Sequence, residues 1–254
     1  MKTVALSHIG KVRTTNEDSI LVHDQNVPYY MLVADGMGGH AAGEVASGMV
    51  CTELERYISA LGHKELTEKQ ILDAIRFVNQ RLIDAVEEEP AFQGMGTTLT
   101  FAAFDGDKIT IAQVGDSRAY HKRADDIYKV TKDHTYVQHL IDSGVIKKGA
   151  AEDYPFKNII TRSVGMKDVE VDFFTVEWKD DDIILLCSDG LSNYTNKKIM
   201  FDKMCIRDSK YTAHEIAEER CRLSDAILIL GSATPQIETY YKARQGAVSY
   251  THLG

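Results

Sequence analysis

Residues 29–40 read YYMLVADGMGGH, an apolar run that leads directly into an acidic, glycine-rich turn. The run predicts a buried strand over residues 29–34, with the carboxylate of Asp35 held at its end. Because Gly36 has no Cβ, the backbone can turn sharply there and bring a main-chain carbonyl oxygen round beside that carboxylate. The stretch therefore predicts a sheet with an acidic, chemically active edge.

Other strand ends carry the same feature. Asp189 follows the apolar run of residues 183–187, Asp116 lies in another glycine turn, and Asp18 precedes the run quoted above. Hard divalent cations prefer such sets of carboxylate, carbonyl and water oxygens, and the histidines and cysteines lack zinc-ligand spacing. The residues favour an oxygen-rich Mg2+ or Mn2+ site over zinc, although Asp-Gly is also a common turn dipeptide with no chemical role.

The pattern around these turns predicts two helices followed by short strands. Apolar residues recur at helical spacing over residues 41–61 and 67–86, and Thr67 with Gln70 has the spacing of a capping box. Strand patterns cover residues 97–104, 108–114, 118–122, 127–131, 169–176 and 183–187. The first four of these predict an antiparallel meander, and the order of elements indicates an α+β fold rather than a βαβ repeat.

The composition disfavours several classes of protein. The chain has 254 residues and a net charge of -9, which disfavours binding to the phosphate backbone of nucleic acids. It has no apolar run of membrane-spanning length and no secretory signal in its first residues. Cys51 and Cys187 lie in apolar runs and are expected to be buried thiols. We therefore expect a cytoplasmic protein that binds neither nucleic acid nor membrane.

A set of ordered motifs resembles those of the type 2C metal-dependent protein phosphatases, in their compact bacterial serine/threonine branch. These motifs lie at residues 10–18, 34–40, 94–99, 114–118, 133–135, 158–165 and 188–191. The resemblance extends over residues 3–200 and implies the fold of that family. The implied fold is a four-layer α/β/β/α sandwich, in which two antiparallel sheets are flanked by helices.

The resemblance also implies a site with two or three Mn2+ or Mg2+ ions. The ligands that it implies are Glu17, Asp18, Asp35, Gly36, Asp116 and Asp189. Asp35 would bridge the two principal ions, Asp189 would bind the first of them, and Asp116 would hold the third. Asp18, or the neighbouring glutamate, would reach the second ion directly or through water.

The reaction implied is hydrolysis by a metal-activated water, without a covalent phospho-enzyme. Arg13 would grip the substrate phosphate with its planar guanidinium. The general acid is left open, because Met37 stands where some family members carry a histidine. His40 is either that acid or a loop residue that seats the glycine turn. Residues 135–165 match the flap beside the family's active site, which is expected to influence substrate choice.

The resemblance ends near residue 203. The family's final Asp-Asn motif, which supplies another metal ligand, is missing after Asp189. Residues 204–254 instead resemble a fragment of the primosomal replication-restart helicase, around GSATP at residues 231–235, flanked by stretches typical of cloning artefacts. We therefore predict a chimera: a C-terminally truncated phosphatase domain at residues 1–203 and a foreign tail that has no nucleotide-binding loop of its own.

The tail contains one candidate to replace the missing elements. Residues 226–230 read AILIL, an apolar strand pattern that directly follows Asp225. Docked in the slot left open in the sheet, this strand would bring Asp225 to the first metal ion. The alternative is that the strand docks poorly and that Asp225 is a plain turn residue.

Two functions follow from these features. The first is metal-dependent hydrolysis of phosphoserine and phosphothreonine in proteins, by a monomer that counteracts a cognate bacterial serine/threonine kinase. The second is a catalytically impaired, phosphatase-like binding domain, because the final metal-ligand motif is missing.

Overall fold

The computed structural model describes residues 3–7, 15–38, 42–147, 149, 154, 156 and 159–193, together with the backbone of residues 228–230. In chain order the strands are β1 (Val4–Leu6), β2 (Asp18–His23), β3 (Tyr29–Met37), β4 (Gly96–Thr97), β5 (Leu99–Asp105), β6 (Lys108–Val114), β7 (Arg118–Arg123), β8 (Asp126–Lys129), β9 (Asp172–Glu177), β10 (Ile183–Cys187) and β11 (Leu228–Leu230). The α-helices are α1 (Ala42–Leu61), α2 (Glu68–Glu88), α3 (Tyr136–Asp142) and α4 (Asp189–Ser192).

Two antiparallel sheets divide these strands. The six-stranded sheet has the order β2-β3-β5-β6-β9, with β4 beside β3, and the five-stranded sheet has the order β1-β11-β10-β7-β8. Their facing sides enclose a core of apolar side chains that includes Val33, Ile111 and Leu186. Alternation of apolar residues along each strand is what lets two sheets stack in this way. The predicted α+β fold with two antiparallel sheets is confirmed.

Two long helices cover the outer face of the six-stranded sheet. The apolar stripes of α1 and α2 pack onto this sheet in a second core, which includes Leu32 and Phe101. Burial of each large apolar side chain contributes roughly 1.5–3 kcal/mol, so packing rather than helix propensity holds these helices in place. Among the described residues, no helix is long and apolar enough to cross a membrane.

Several details differ from the sequence predictions. β6 and β7 belong to different sheets, so the predicted meander is split where the chain crosses between them at residues 115–117. β2 was not predicted, because most of its side chains are half-buried and its apolar alternation is weak.

Single residues also differ from the sequence predictions. Asp35 lies inside β3, and Asp189 begins a short helix rather than a turn. Cys51 is half-buried rather than buried, although Cys187 is buried as expected.

The slot between β1 and β10 is filled by β11. The backbone of Ile229 lies opposite Ala5 in β1 and opposite Leu186 in β10, in antiparallel register on both sides. The alternative that this strand docks poorly is therefore wrong. The physical reason is that two open strand edges offer a row of backbone donors and acceptors to any apolar strand that reaches them. Asp225 lies outside the described residues.

Candidate metal centre

Asp18 and Asp35 face each other across the hairpin of β2 and β3. The register places them directly opposite, so their side chains share one face of the sheet with Cβ atoms roughly 5 Å apart. Asp18 is buried. Like charges in this position repel and destabilise the pairing unless a cation or a proton offsets them. Strand register therefore creates a paired-carboxylate site.

Gly36 lies where the backbone of β3 closely approaches the start of α1. Its N–H donates to the carbonyl oxygen of Glu17 over 2.9 Å. A Cβ at this position would stand 2.0 Å from the carbonyl oxygen of Gly43, so only glycine fits. The Oε1 atom of Glu17 lies 2.8 Å from the place of a Cβ on Gly43. The Glu17 side chain is thus directed at the first turn of α1, where the helix dipole favours negative charge.

Asp116 lies in the crossing turn, which we define as residues 115–117 between β6 and β7. The buried side chain of Gln113 stabilises this turn through hydrogen bonds. Its Nε2 donates to the carbonyl oxygens of Gly115 and Ser117 over 3.1 Å and 2.6 Å. Because these bonds are buried, loss of either would leave polar groups without partners, at a cost of roughly 1–3 kcal/mol each. The crossing turn is therefore firmly placed.

Thr98 joins the crossing turn to β3. Its N–H donates to the carbonyl oxygen of Asp35, and its Oγ1 accepts from the N–H of Asp35, both over 2.9 Å. The same hydroxyl lies 2.7 Å from Oγ of Ser117. One buried threonine therefore brings Asp35 and Asp116 to the same edge of the molecule.

Asp189 completes this acidic region from the other sheet. Burial, followed by the negative charge of Asp189, raises the pKa of Asp116 to about 7. Ser188, directly before Asp189, donates from Oγ to Oδ2 of Asp18 over 3.2 Å. Residues that follow or end strands of both sheets therefore meet in one acidic region.

Most of the chain matches a known family: residues 6–224 match Protein phosphatase 2C. The chain belongs to the protein phosphatase 2C family. The resemblance to the type 2C phosphatases, which was inferred from the ordered motifs, is thereby confirmed. The match continues beyond residue 203, where the phosphatase domain was predicted to end, and the helicase origin of the tail stays a prediction.

Two relatives and one solved structure show how similar this phosphatase 2C chain is to known proteins. It is 39% identical over 215 residues to the serine/threonine phosphatase stp of Listeria welshimeri, covering 82% of this chain and 84% of that protein. It is 36% identical over 224 residues to PstP of Mycobacterium tuberculosis, covering 86% of this chain but only 41% of PstP. The solved catalytic domain of PstP, in complex with two manganese ions, matches with a TM-score of 0.75 at 33% identity, covering 91% of this chain and 97% of that one.

The structure brings together four of the predicted site residues of this phosphatase 2C chain. They are Asp18, Asp35, Asp116 and Asp189. Gly36 lies beside them, while the carboxylate of Glu17 is directed at α1. Arg13, His40 and Asp225 lie outside the described residues, so their roles stay predictions.

The chemistry of this donor set fits a divalent cation. Among the described residues, His, Cys, Asp and Glu side chains form no ready group of three that could hold a metal ion. The aspartates instead form two repelling pairs, Asp18 with Asp35 and Asp116 with Asp189. Carboxylate oxygens are the ligands that Mg2+ and Mn2+ prefer, and a cation would offset the repulsion within each pair.

The sequence did not predict the roles of two residues that support the site. Gln113 is a polar residue inside the apolar run of β6, and a buried polar side chain implies hydrogen-bond partners, so a signal was present. Ser188 directly precedes Asp189, and its hydroxyl contacts Asp18. That contact joins residues 170 positions apart in the chain, and no local pattern predicts it.

Proposed function

We propose that this phosphatase 2C chain hydrolyses phosphoserine and phosphothreonine in proteins. The observation that carries the proposal is the cross-strand pair of Asp18 and Asp35 at the edge where both sheets end. A phosphate ester is itself negative, so these carboxylates can serve it only after cations have reversed the local charge. The relatives named serine/threonine phosphatases support this substrate class.

The cations proposed are Mn2+ or Mg2+, in two or three sites. The manganese ions in the PstP catalytic domain support this choice. The proposed ligands are Asp18, Asp35, Asp116, Asp189 and the carbonyl oxygen of Gly36. When bound, the ions lower the pKa of water and offset negative charge on phosphoryl oxygens. The chain's own part is to hold the carboxylates in place, through Thr98 and Gln113.

A protein substrate fits the surface beside this site. Seven large apolar side chains are exposed among the described residues, and five of them belong to residues 136–166. These five are Tyr136, Val145, Phe156, Ile159 and Met166. The segment begins two residues after His134, whose N–H donates to the crossing turn. Apolar surface next to an acidic site favours a polypeptide over a small hydrophilic phosphate ester.

The remaining roles belong to residues outside the described parts of the chain. We infer that Arg13 binds the substrate phosphate and that His40 is a candidate general acid, on the family resemblance alone. A cognate serine/threonine kinase, a monomeric state and a cytoplasmic location are inferred on the same basis.

The second candidate is a phosphatase-like binding domain with impaired catalysis. One observation favours it: the family's final Asp-Asn motif is missing after Asp189. β11 occupies the slot in the sheet, and Asp225 directly precedes its apolar run. We infer that Asp225 supplies the replacement ligand if the chain is active.

Turnover of para-nitrophenyl phosphate and of a phosphothreonine peptide tests the first proposal. We expect activity with Mn2+ that is lost with EDTA and lowered at least about 100-fold in Asp35→Asn, since changes to outer-shell partners alone cost about 10- to 100-fold. Asp125→Asn removes the same charge from an exposed turn at the far end of β7, and it should leave turnover unchanged.

The outcomes separate the two candidates. Activity lost in both EDTA and Asp35→Asn establishes the phosphatase. Folded protein that binds a phosphopeptide without turnover would support the binding domain instead. Equal activity in Asp35→Asn and in the unsubstituted chain would exclude the proposed site.

A further inference from the structure

His134 makes a two-way contact with the crossing turn. Its N–H donates to the carbonyl oxygen of Gly115 over 2.9 Å. In return, the N–H of Gly115 donates to Nδ1 of the His134 ring over 3.1 Å. The side chain is buried, so neither bond competes with water. Gly115 directly precedes Asp116, so these two bonds fix the backbone next to that carboxylate.

Asp172 sets which nitrogen of the ring carries the hydrogen. Nε2 of His134 lies 3.1 Å from Oδ2 of Asp172, and the other oxygen of this carboxylate accepts from Nη1 of Arg162 over 2.8 Å. Since Nδ1 accepts a hydrogen bond from Gly115, the ring hydrogen lies on Nε2, which donates to Asp172. A histidine whose far nitrogen is held by a carboxylate keeps one orientation.

We propose that His134 is a positioning residue for Asp116, with Asp172 holding its ring in the orientation that grips Gly115. This inference rests on the proposed function, because it assigns a task to a residue outside the ligand set. His134 has no part in the reaction itself. Its effect is to present Asp116 to a cation at the place where the other aspartates meet.

A second cluster of the same composition provides a comparison within the molecule. Nε2 of His121 lies 3.0 Å from Oδ2 of Asp182, and Arg123 donates to the same carboxylate. His121 is also buried. Arg118 begins β7 directly after the crossing turn, and His121 lies three residues further along the strand. This spacing corresponds to roughly 10 Å. Loss of this histidine therefore removes a similar buried bond but leaves the crossing turn alone.

The test compares His134→Ala, His134→Asn and His121→Ala in the full chain. In His134→Asn the amide oxygen stands near the place of Nδ1 and can still accept from Gly115. Mn2+ binding is measured by calorimetry with the metal alone. Amide hydrogen exchange at Gly115 is measured by nitrogen-edited NMR in the metal-free protein, which gives a readout independent of turnover.

We expect His134→Ala to weaken Mn2+ binding at the site that includes Asp116 about 10-fold and to speed exchange at Gly115 by a similar factor. His134→Asn should recover most of both losses. His121→Ala should lower thermal stability as much as His134→Ala does, yet leave Mn2+ binding and Gly115 exchange unchanged.

Three results would overturn the inference: unchanged Mn2+ binding in His134→Ala, an equal loss of binding in His121→Ala, or no recovery in His134→Asn. If the unsubstituted chain turns over substrate with Mn2+ and one of these results is found, only the inference fails. If that chain neither binds Mn2+ nor turns over substrate, the proposed function fails and the inference fails with it.

Discussion

At the scale of single residues, backbone crowding decides what the site tolerates. Gly36 and Gly115 both lie where a Cβ would meet other atoms at under 3 Å. At Gly36 the obstacle is the backbone of α1, which cannot rotate away as a side chain can. At Gly115, with φ +96, the obstacle is Thr98. The two glycines therefore let carboxylate-bearing segments approach more closely than any other residue would.

Gly36→Ala is expected to destabilise the protein severely. The new Cβ would stand 2.0 Å from the carbonyl oxygen of Gly43, so β3 and α1 must separate, at a cost of about 3 kcal/mol or more. Urea unfolding measures the change. Gly48→Ala is the matched control, because a Cβ there meets nothing within 4 Å. It should stabilise α1 by about 0.4–1 kcal/mol. Similar stability for the two variants would contradict this account.

At the scale of elements, local signals and packing act together. The capping box was predicted from the spacing of Thr67 and Gln70, and the structure has both of its hydrogen bonds. The capping box involves only the four consecutive residues 67–70, so its contribution to stability depends little on the rest of the fold. The start of α2 is therefore an element boundary that can be tested with little effect on the site.

Thr67→Ala should lower the free energy of unfolding by about 1 kcal/mol, because the first turn of α2 loses its cap. Thr52→Ala is the control: Thr52 is also exposed, but it lies inside α1 and bonds the carbonyl oxygen of Gly48. Alanine has the higher helix propensity there, so this variant should be neutral or slightly more stable. Chemical denaturation measures the free energy of unfolding of both variants. An equal loss of stability in the two would contradict the role of Thr67 as a cap.

At the scale of the whole molecule, a buried ionic cluster connects the two sheets. Arg123, at the end of β7, donates to Asp182 beside β10 and to the carbonyl oxygen of Glu177 in β9. One side chain therefore ties the five-stranded sheet to the six-stranded one. Burial tends to raise the pKa of Asp182, but hydrogen bonds from Arg123 and His121 outweigh this and hold the pKa at about 2.

Asp182→Asn should destabilise the fold in a pH-dependent manner. The folded pKa of about 2 lies below the unfolded value of about 3.9. The ionised carboxylate therefore contributes stability above about pH 4, and that contribution is lost as the pH falls towards 2. We expect a loss of about 1.5–3 kcal/mol near pH 7 that shrinks below pH 4. Denaturant unfolding of the metal-free chain across this range measures it.

Asp181→Asn serves as the control for that experiment. Asp181 is the exposed neighbour of Asp182, and it has a φ of 70, which asparagine also adopts readily. The variant removes the same charge from the same turn and should leave stability unchanged at every pH. If both variants shift the pH profile alike, net charge rather than the buried cluster is responsible.

The sequence by itself determined the α+β class, most strands, both long helices and the identity of the acidic residues. These follow from periodicity and from turns that involve only neighbouring residues. Only the tertiary structure decided that Asp18 lies opposite Asp35, that the meander splits between two sheets, and that His134 grips the crossing turn. Each of these depends on contacts between residues distant in the chain, and strand register and sheet stacking set such contacts without leaving a local pattern.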